Sequence, residues 1–219
     1  MRDLAQNSPD GAAAGAVAGA PSDAVARQKA ALRGRLCAAR VALTAVERSD
    51  AGRRLRDAVL SLPEAGMAGT VAAYFSIGAE PATRSLVYAL WKRGAYVLLP
   101  LLRPDNDLDW ASYEGPDSVR PRPDGRHGLV EPVEPPRGPD TIARADLVIV
   151  PAIAVDRRGM RLGMGGGCYD RALARVGPLI ATVALLYDGE LVDAVPAAPH
   201  DRAVRVVAQP SAGITRLPL

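Results

Sequence analysis

The stretch Arg161-Leu162-Gly163-Met164-Gly165-Gly166-Gly167-Cys168-Tyr169-Asp170-Arg171 decides how the rest of the chain is read. Four glycines crowd one short turn, an arginine precedes them, and a Tyr-Asp pair opens a helix behind them. Glycine admits positive φ and lets backbone N–H groups approach a ligand with no Cβ in the way. A helix start adds unpaired N–H donors and partial positive charge, so the turn reads as an anion site. Arg161 supplies a fixed cation beside it. Upstream, Asp146-Leu147-Val148-Ile149-Val150-Pro151 is an apolar run of the kind that forms a buried parallel strand. Strand, loop, glycine turn and helix in that order are phosphate-handling architecture. A flexible linker of such composition rarely lies between a core strand and a helix start. No Lys-Ser/Thr follows the glycines, which excludes a P-loop. A dinucleotide fingerprint would need glycine at the position of Cys168 and a turn directly after the strand, whereas about ten residues intervene. One feature still favours a nucleotide fold: Asp188 follows the apolar run Leu179 to Leu186, where a ribose-binding acid would sit.

Working outward, Thr70 to Phe75 reads as a strand and Ser76 to Pro81 as the loop leaving it. Ala82 to Arg93 is a helix stopped by Gly94, and Tyr96 to Leu99 is a strand halted by Pro100. Glu80 therefore sits just past a strand's carboxyl end, where open α/β sheets place ligand-binding residues; a solvated loop acid is the plainer alternative. Within the Pro-, Gly- and Asp-rich residues 103–140, Leu108 to Tyr113 alternates enough for an edge strand, and Gly128 to Pro132 forms an ordered turn. Behind the glycine motif come a helix to about Val176, the strand Leu179 to Leu186, and a loop through Val195-Pro196. His200-Asp201 then precedes a last strand, Val204 to Ala208. Asp201 in that place is most simply a turn-former. Strands alternating with helices imply an α/β fold, a mostly parallel sheet covered on both faces.

Towards the N-terminus, residues 1–21 are Ala/Gly-rich with little periodicity and read as a disordered tail; residues 22–219 form a single α/β catalytic domain. From Ser22, an N-cap, a helix runs to about Leu43. Leu32, Leu36, Ala39 and Leu43 share one stripe, and Lys29, Arg33 and Arg40 another. Lys29 and Arg33 are one turn apart, so their heads can converge on one anion, although a solvated basic face fits the same spacing. Thr44 and Glu47 make a capping box for a second helix ending near Leu62-Pro63.

Composition narrows the classes. A net charge of +3 with short arginine pairs and no aromatic interleaving argues against nucleic acid. No apolar run approaches membrane-spanning length. Cys37 and Cys168 lie far apart and His127 and His200 match no zinc spacing, so a reducing cytoplasm without structural disulfides is expected. A monomer is the expected state.

Several segments together resemble the 5-formyltetrahydrofolate cyclo-ligase family, from about Arg27 to Gln209. The most specific part is Arg161 to Arg171, preceded by Asp146 to Pro151 and Asp156. Lys29 with Arg33, Tyr74 through Glu80 with Thr83, Pro100, Glu131-Pro132 and Pro196 through Asp201 support it. The resemblance implies a three-layer α/β sandwich of the sugar-phosphate isomerase and CoA-transferase type. It also implies an ATP- and Mg²⁺-dependent enzyme: ATP phosphorylates the formyl oxygen of 5-formyltetrahydrofolate, nitrogen 10 attacks the activated carbon, and phosphate leaves to give 5,10-methenyltetrahydrofolate. Carried over by motif, Lys29, Arg33, Arg161, Leu162, Gly163, Met164, Gly165, Gly166, Gly167, Cys168 and Tyr169 resemble the ATP-binding set, with Arg161 the catalytic cation. Phe75, Glu80 and the turn Met164 to Cys168 resemble the folate-contacting set, and Asp170 and Asp201 the Mg²⁺ ligands. Cys168, Met164 and Val155 stand where bulkier residues are usual, which removes stacking surface. Two other classes remain: an isomerase or acyl-CoA transferase that works without ATP, and a nucleotide- or folate-binding regulator.

Deleting residues 1–21 is expected to leave melting temperature and turnover nearly unchanged, because that composition buries little apolar area. A large fall in either would count against it.

Overall fold

A computed structural model describes residues 23–125 and 128–218. The tail read at 1–21, the N-cap Ser22 and His127 lie outside these. The helices are α1 (Asp23–Ala42), α2 (Ala45–Leu60), α3 (Pro63–Met67), α4 (Arg84–Lys92) and α5 (Cys168–Leu173). The strands are β1 (Thr70–Ala72), β2 (Tyr96–Leu102), β3 (Leu108–Ser112), β4 (Val119–Pro121), β5 (Val130–Pro132), β6 (Leu147–Pro151), β7 (Ala154–Asp156), β8 (Arg161–Leu162), β9 (Ala181–Leu185), β10 (Leu191–Val192), β11 (Val206–Gln209) and β12 (Gly213–Arg216).

The main sheet has the order β12-β11-β9-β6-β1-β2-β3, parallel from β11 to β2, with antiparallel edges. Successive strand residues face opposite sides. Leu147 and Ile149 of β6 enter the core beneath α2 and α4, whereas Val148 and Val150 enter the core on the other face with Ala172 and Leu173 of α5. Strands apolar on both faces must be covered twice, and the three-layer α/β arrangement follows. A second, smaller sheet, β10-β7-β8, carries α1 through Leu36, Ile153, Ala154, Leu162 and Val195. The capping box opens α2 as read: Thr44 Oγ1 accepts from Glu47 N–H at 3.2 Å, and Glu47 Oε2 accepts from Thr44 N–H at 2.7 Å.

Several expectations are corrected. Pro100 does not halt its strand; β2 runs through it to Leu102. Val97 O accepts from Tyr113 N–H on the β3 side, and Leu98 O accepts from Ala73 N–H on the β1 side. By that alternation Pro100 turns its missing N–H toward the side where β1 has already ended. The strand Thr70 to Phe75 stops at Ala72, and Leu179, 89% exposed, precedes its strand rather than starting it. Gly128 to Pro132 is not merely a turn, because Val130–Pro132 pairs with β4. The last strand is β12, which turns back along β11 after Gly213.

The two stripes of α1 are one face. Lys29, Leu32, Arg33, Leu36 and Arg40 fall within an arc of about 100° at 100° per residue. Leu36 and Arg40 are buried, and Ala39 is exposed. Arg40 is therefore no part of a solvated stripe. Its Nε and Nη2 donate to Glu190 Oε1 and Oε2 at 2.6 and 2.8 Å, and Nη2 also donates to Ala152 O at 2.6 Å. The guanidinium lies over the Tyr187 ring, 5.6 Å from its centroid.

Removing one partner of a buried pair strands the other's charge, so Glu190→Gln should cost about 3 to 5 kcal/mol in urea unfolding. The double variant Arg40→Met/Glu190→Leu should recover most of it. A Glu190→Gln protein as stable as wild type would refute the role of this pair.

Candidate active site

The chain leaves β1 for β2 on one side and returns as β6 on the other. The carboxyl ends of β1 and β6 are thus the point where the winding reverses, the usual ligand crevice of an open α/β sheet. After β1 the segment Tyr74 to Thr83 folds back on itself. Thr83 Oγ1 donates to Tyr74 O at 2.6 Å and accepts from Ser76 N–H at 2.9 Å, while Glu80 Oε2 accepts from Ile77 N–H at 2.9 Å. Phe75, 9% exposed, has the Tyr113 ring edge-on at 5.6 Å and the Arg84 guanidinium 5.4 Å from its centroid. Glu80 is no solvated loop acid. Burial raises its pKa, only partly offset by the Ile77 N–H and the charge of Arg40. The phenols of Tyr74 and Tyr169 are pushed up by burial and by the nearby Glu80, and Tyr187 Oη donates to Glu80 O at 3.3 Å.

After β6 the chain makes the β7–β8 hairpin. Fully buried Asp156 organises its turn by accepting N–H bonds from Arg158, Met160 and Val195 at 2.9 to 3.1 Å. The glycine turn follows at once. An ideal Cβ on Gly163 would lie 2.7 Å from Arg161 Nη1, on Gly165 3.6 Å from Arg33 Nη2, and on Gly167 2.9 Å from Arg171 Nη1. Gly165 and Gly167 also have φ of 107° and 67°, which side-chain-bearing residues avoid. Among the described residues the N–H groups of Gly163, Met164, Gly165, Gly166 and Gly167 donate no hydrogen bond. The turn is thus a row of free donors flanked by guanidinium groups. Its helix contributes less than the sequence implies, since α5 ends at Leu173 rather than Val176.

Two carboxylates stand beside the turn. Asp170 Oδ1 accepts from Arg161 Nη2 at 2.9 Å and from Arg202 N–H at 3.2 Å, which brings it next to Asp201; Oδ2 accepts none among the described residues. Asp201 Oδ2 accepts from Lys29 Nζ at 2.5 Å and from Ala198 N–H at 2.6 Å. Burial opposes ionisation of Asp201, but Lys29 and the Ala198 N–H outweigh it and hold its pKa below the ordinary value. Among the described residues no three His, Cys, Asp or Glu side chains converge as a metal cage. A hard cation here would have two carboxylates at most and would draw further oxygens from ligand and water, the habit of Mg²⁺ rather than of Ca²⁺ or Zn²⁺. Asp170 and Asp201 fit that donor set.

The structure thus brings Lys29, Arg33, Arg161, Gly163 to Tyr169, Asp170 and Asp201 together. Arg33 Nε reaches Gly163 O at 3.0 Å, Arg161 lies 5.9 Å from the Tyr169 ring centroid, and Leu162 is buried behind them. Phe75 and Glu80 lie on the loop after β1, and Glu80 is close enough to Tyr169 of the turn to add to burial in raising its phenol's pKa. Met164 is 70% exposed and Cys168 half-buried. Asp188 stands apart from a ribose role here, since its carboxylate accepts from Ser211 N–H and Oγ at 3.1 and 2.7 Å. Sequence reasoning put Arg40 on a basic stripe and named Tyr74 only as the start of a segment, and it missed Glu190; the place of Arg40 on the Leu36 face is the one signal of its burial.

A model of the 5-formyltetrahydrofolate cyclo-ligase family matches residues 25–210. The chain is 38% identical to a 5-formyltetrahydrofolate cyclo-ligase of Mycolicibacterium smegmatis over 87% of its own length and 98% of the relative's. It is 32% identical to one of Escherichia coli over 78% and 94%. The fold is similar to that of the 5,10-methenyltetrahydrofolate synthetase of Aquifex aeolicus, with a TM-score of 0.73 at 28% identity, covering 86% of this chain and 92% of the other.

Glu80's folded pKa lies above its unfolded one, so the folded state holds the extra proton. Its contribution to stability is full in acid and lost as pH rises through the folded value. Glu80→Gln should therefore raise the melting temperature at about pH 7.5 and change it little near pH 3.5, below the ordinary glutamate pKa of about 4.3. Equal melting curves at both pH values would contradict the burial of a charged carboxylate.

Proposed function

This chain belongs to the 5-formyltetrahydrofolate cyclo-ligase family, and on that premise we propose that it closes 5-formyltetrahydrofolate to 5,10-methenyltetrahydrofolate at the expense of ATP. The observation that carries this reading is the row of N–H groups at Gly163 to Gly167, unpartnered among the described residues and bordered by Arg161, Arg33 and Lys29 and by two carboxylates. Free amides and fixed cations suit phosphate, and carboxylates at the rim suit a divalent cation.

In the proposed sequence the formyl oxygen takes the γ-phosphoryl group and ADP departs. Nitrogen 10 then attacks the activated carbon, its proton passes to solvent, and the C–O electron pair leaves with inorganic phosphate. Phosphoryl transfer asks the protein for position and charge neutralisation. The glycine amides and Arg161 would hold the phosphates, with Lys29 and Arg33 reaching them from α1. Asp170 and Asp201 would hold Mg²⁺, which when bound offsets phosphate charge. Glu80 and Phe75 would receive the pterin: a carboxylate accepts from its N–H donors, and the ring, backed by Tyr113, offers an aromatic face. The crevice between the two loops brings formyl oxygen and phosphate together. No helix among the described residues is long and apolar enough to cross a membrane, and the substrates are taken from solution.

Protein mixed with ATP, Mg²⁺ and 5-formyltetrahydrofolate should generate the ultraviolet absorbance of the conjugated methenyl product, and none without ATP. Product in the absence of ATP would point to the isomerase- or transferase-like chemistry of similar folds.

Asp170 also faces Arg161, so its variants separate metal binding from structure. Asp170→Asn and Asp170→Ala should both fold and lose most turnover, with excess Mg²⁺ partly rescuing Asn. An active, Mg²⁺-insensitive Asn variant, or an Ala variant that loses only about 1 kcal/mol of stability and no activity, would assign Asp170 to the helix start instead.

A further inference from the structure

Arg171 lies one residue beyond the proposed metal ligand, and its contacts run the other way. Its Nη2 donates to Gly166 O at 3.1 Å and also to Asn106 O. Asn106 sits in the β2–β3 turn with φ of 61°, the one positive φ on a residue other than glycine among the described residues. Asp107, next to it, lies 4.0 Å from Arg171 Nε and accepts from both Nη atoms of Arg175 at 3.0 and 2.5 Å. The β2–β3 turn is thereby fastened to α5 and to the residues just after it, and of the two arginines Arg171 extends the fastening into the glycine turn. We infer that Arg171 is a positioning residue, which aims the glycine-turn amides at phosphate by gripping the Gly166 carbonyl from the β2–β3 turn.

This role follows from the phosphate reading above and from peptide geometry. In a trans peptide the C=O and the following N–H point in opposite directions. Holding Gly166 O toward Arg171 therefore turns the Gly167 N–H away from it. Arg33 does the same at the other end of the turn, where its Nε holds Gly163 O at 3.0 Å and so directs the Met164 N–H. From Gly163 to Gly166 the chain has three glycines and little resistance of its own, since glycine settles readily into many conformations. Without restraint, the amides would pay an ordering entropy on meeting a ligand. The close approach of Arg171 Nη1 to the Cβ position of Gly167, 2.9 Å, fits a guanidinium packed flat against the turn. Arg171 makes both of its carbonyl bonds through Nη2, with its Nε 4.0 Å from Asp107. A lysine would keep the charge, but its nitrogen ends one bond short of the Nη2 position and it has no planar group to lie against the turn.

The test measures ATP affinity by calorimetric titration with Mg²⁺ and no folate, on the full chain. Arg171→Met should weaken ATP binding about tenfold, the worth of roughly two modest hydrogen bonds. In turnover the loss should fall on KM for ATP, with KM for the folate unmoved. Arg171→Lys should be intermediate. Arg175→Met, which loosens the same β2–β3 turn without touching Gly166, should lower melting temperature and leave ATP affinity unchanged. Wild-type affinity in Arg171→Met overturns the inference, and so does full rescue by lysine, which would make charge alone the cause and applies even if Arg171→Met fails to fold. A wild-type chain that takes up no ATP would instead remove the phosphate reading from which the inference starts.

Discussion

A buried guanidinium stands at the carboxyl edge of the sheet, and its neighbours take their places from it. The side chain of Arg161 is 3% exposed. Its Nη1 donates to Pro151 O at the end of β6, and its Nη2 to Asp170 on α5. A Cβ on Gly163 would lie 2.7 Å from Nη1, so a side chain there would push the guanidinium aside. One planar cation thus ties the strand that leads into the site to the helix that leaves it, and leaves room for glycine between them. Its Nε has no partner among the described residues, and a buried unmade hydrogen bond is costly. That cost sits where the proposed chemistry would use an extra donor.

The same logic extends to α1. A helix whose inward face carries Lys29, Arg33 and Arg40 beside Leu32 and Leu36 gains little from the hydrophobic effect alone. The bidentate Arg40–Glu190 pair and its bond to Ala152 O hold the helix to the ends of β6 and β9. Buried pairs of this kind seldom add net stability over an apolar replacement, but they specify geometry when fully hydrogen-bonded. Here the geometry specified is the reach of Lys29 to Asp201 and of Arg33 to the glycine turn.

The crevice concentrates features that folding alone would not select. Tyr74 Oη is buried without a partner, Glu80 carries a carboxyl that burial drives toward its neutral form, and five consecutive amides lack acceptors among the described residues. Elsewhere among the described residues the one buried side-chain polar atom without a partner is Trp110 Nε1 on β3. Such a contrast is expected where stability is surrendered to binding.

Local rules read correctly wherever the deciding forces are local. Leu147 to Pro151 is apolar throughout because both of its faces are covered, Thr44 and Glu47 cap a helix within four residues, and the glycines announce a turn that no other residue can make. The donor-rich turn within Arg161 to Arg171 was legible for the same reason. What the sequence could not disclose depends on neighbours far along the chain. Pro100 lies within a strand because β1 ends before it, β12 exists because β11 offers an edge, and Arg40 is buried because Glu190, 150 residues away, meets it. A charged side chain at helical spacing looks alike whether it faces water or a carboxylate. Only the packing of α1 on the sheet decides which, since desolvation is set by the tertiary surroundings and not by the residue.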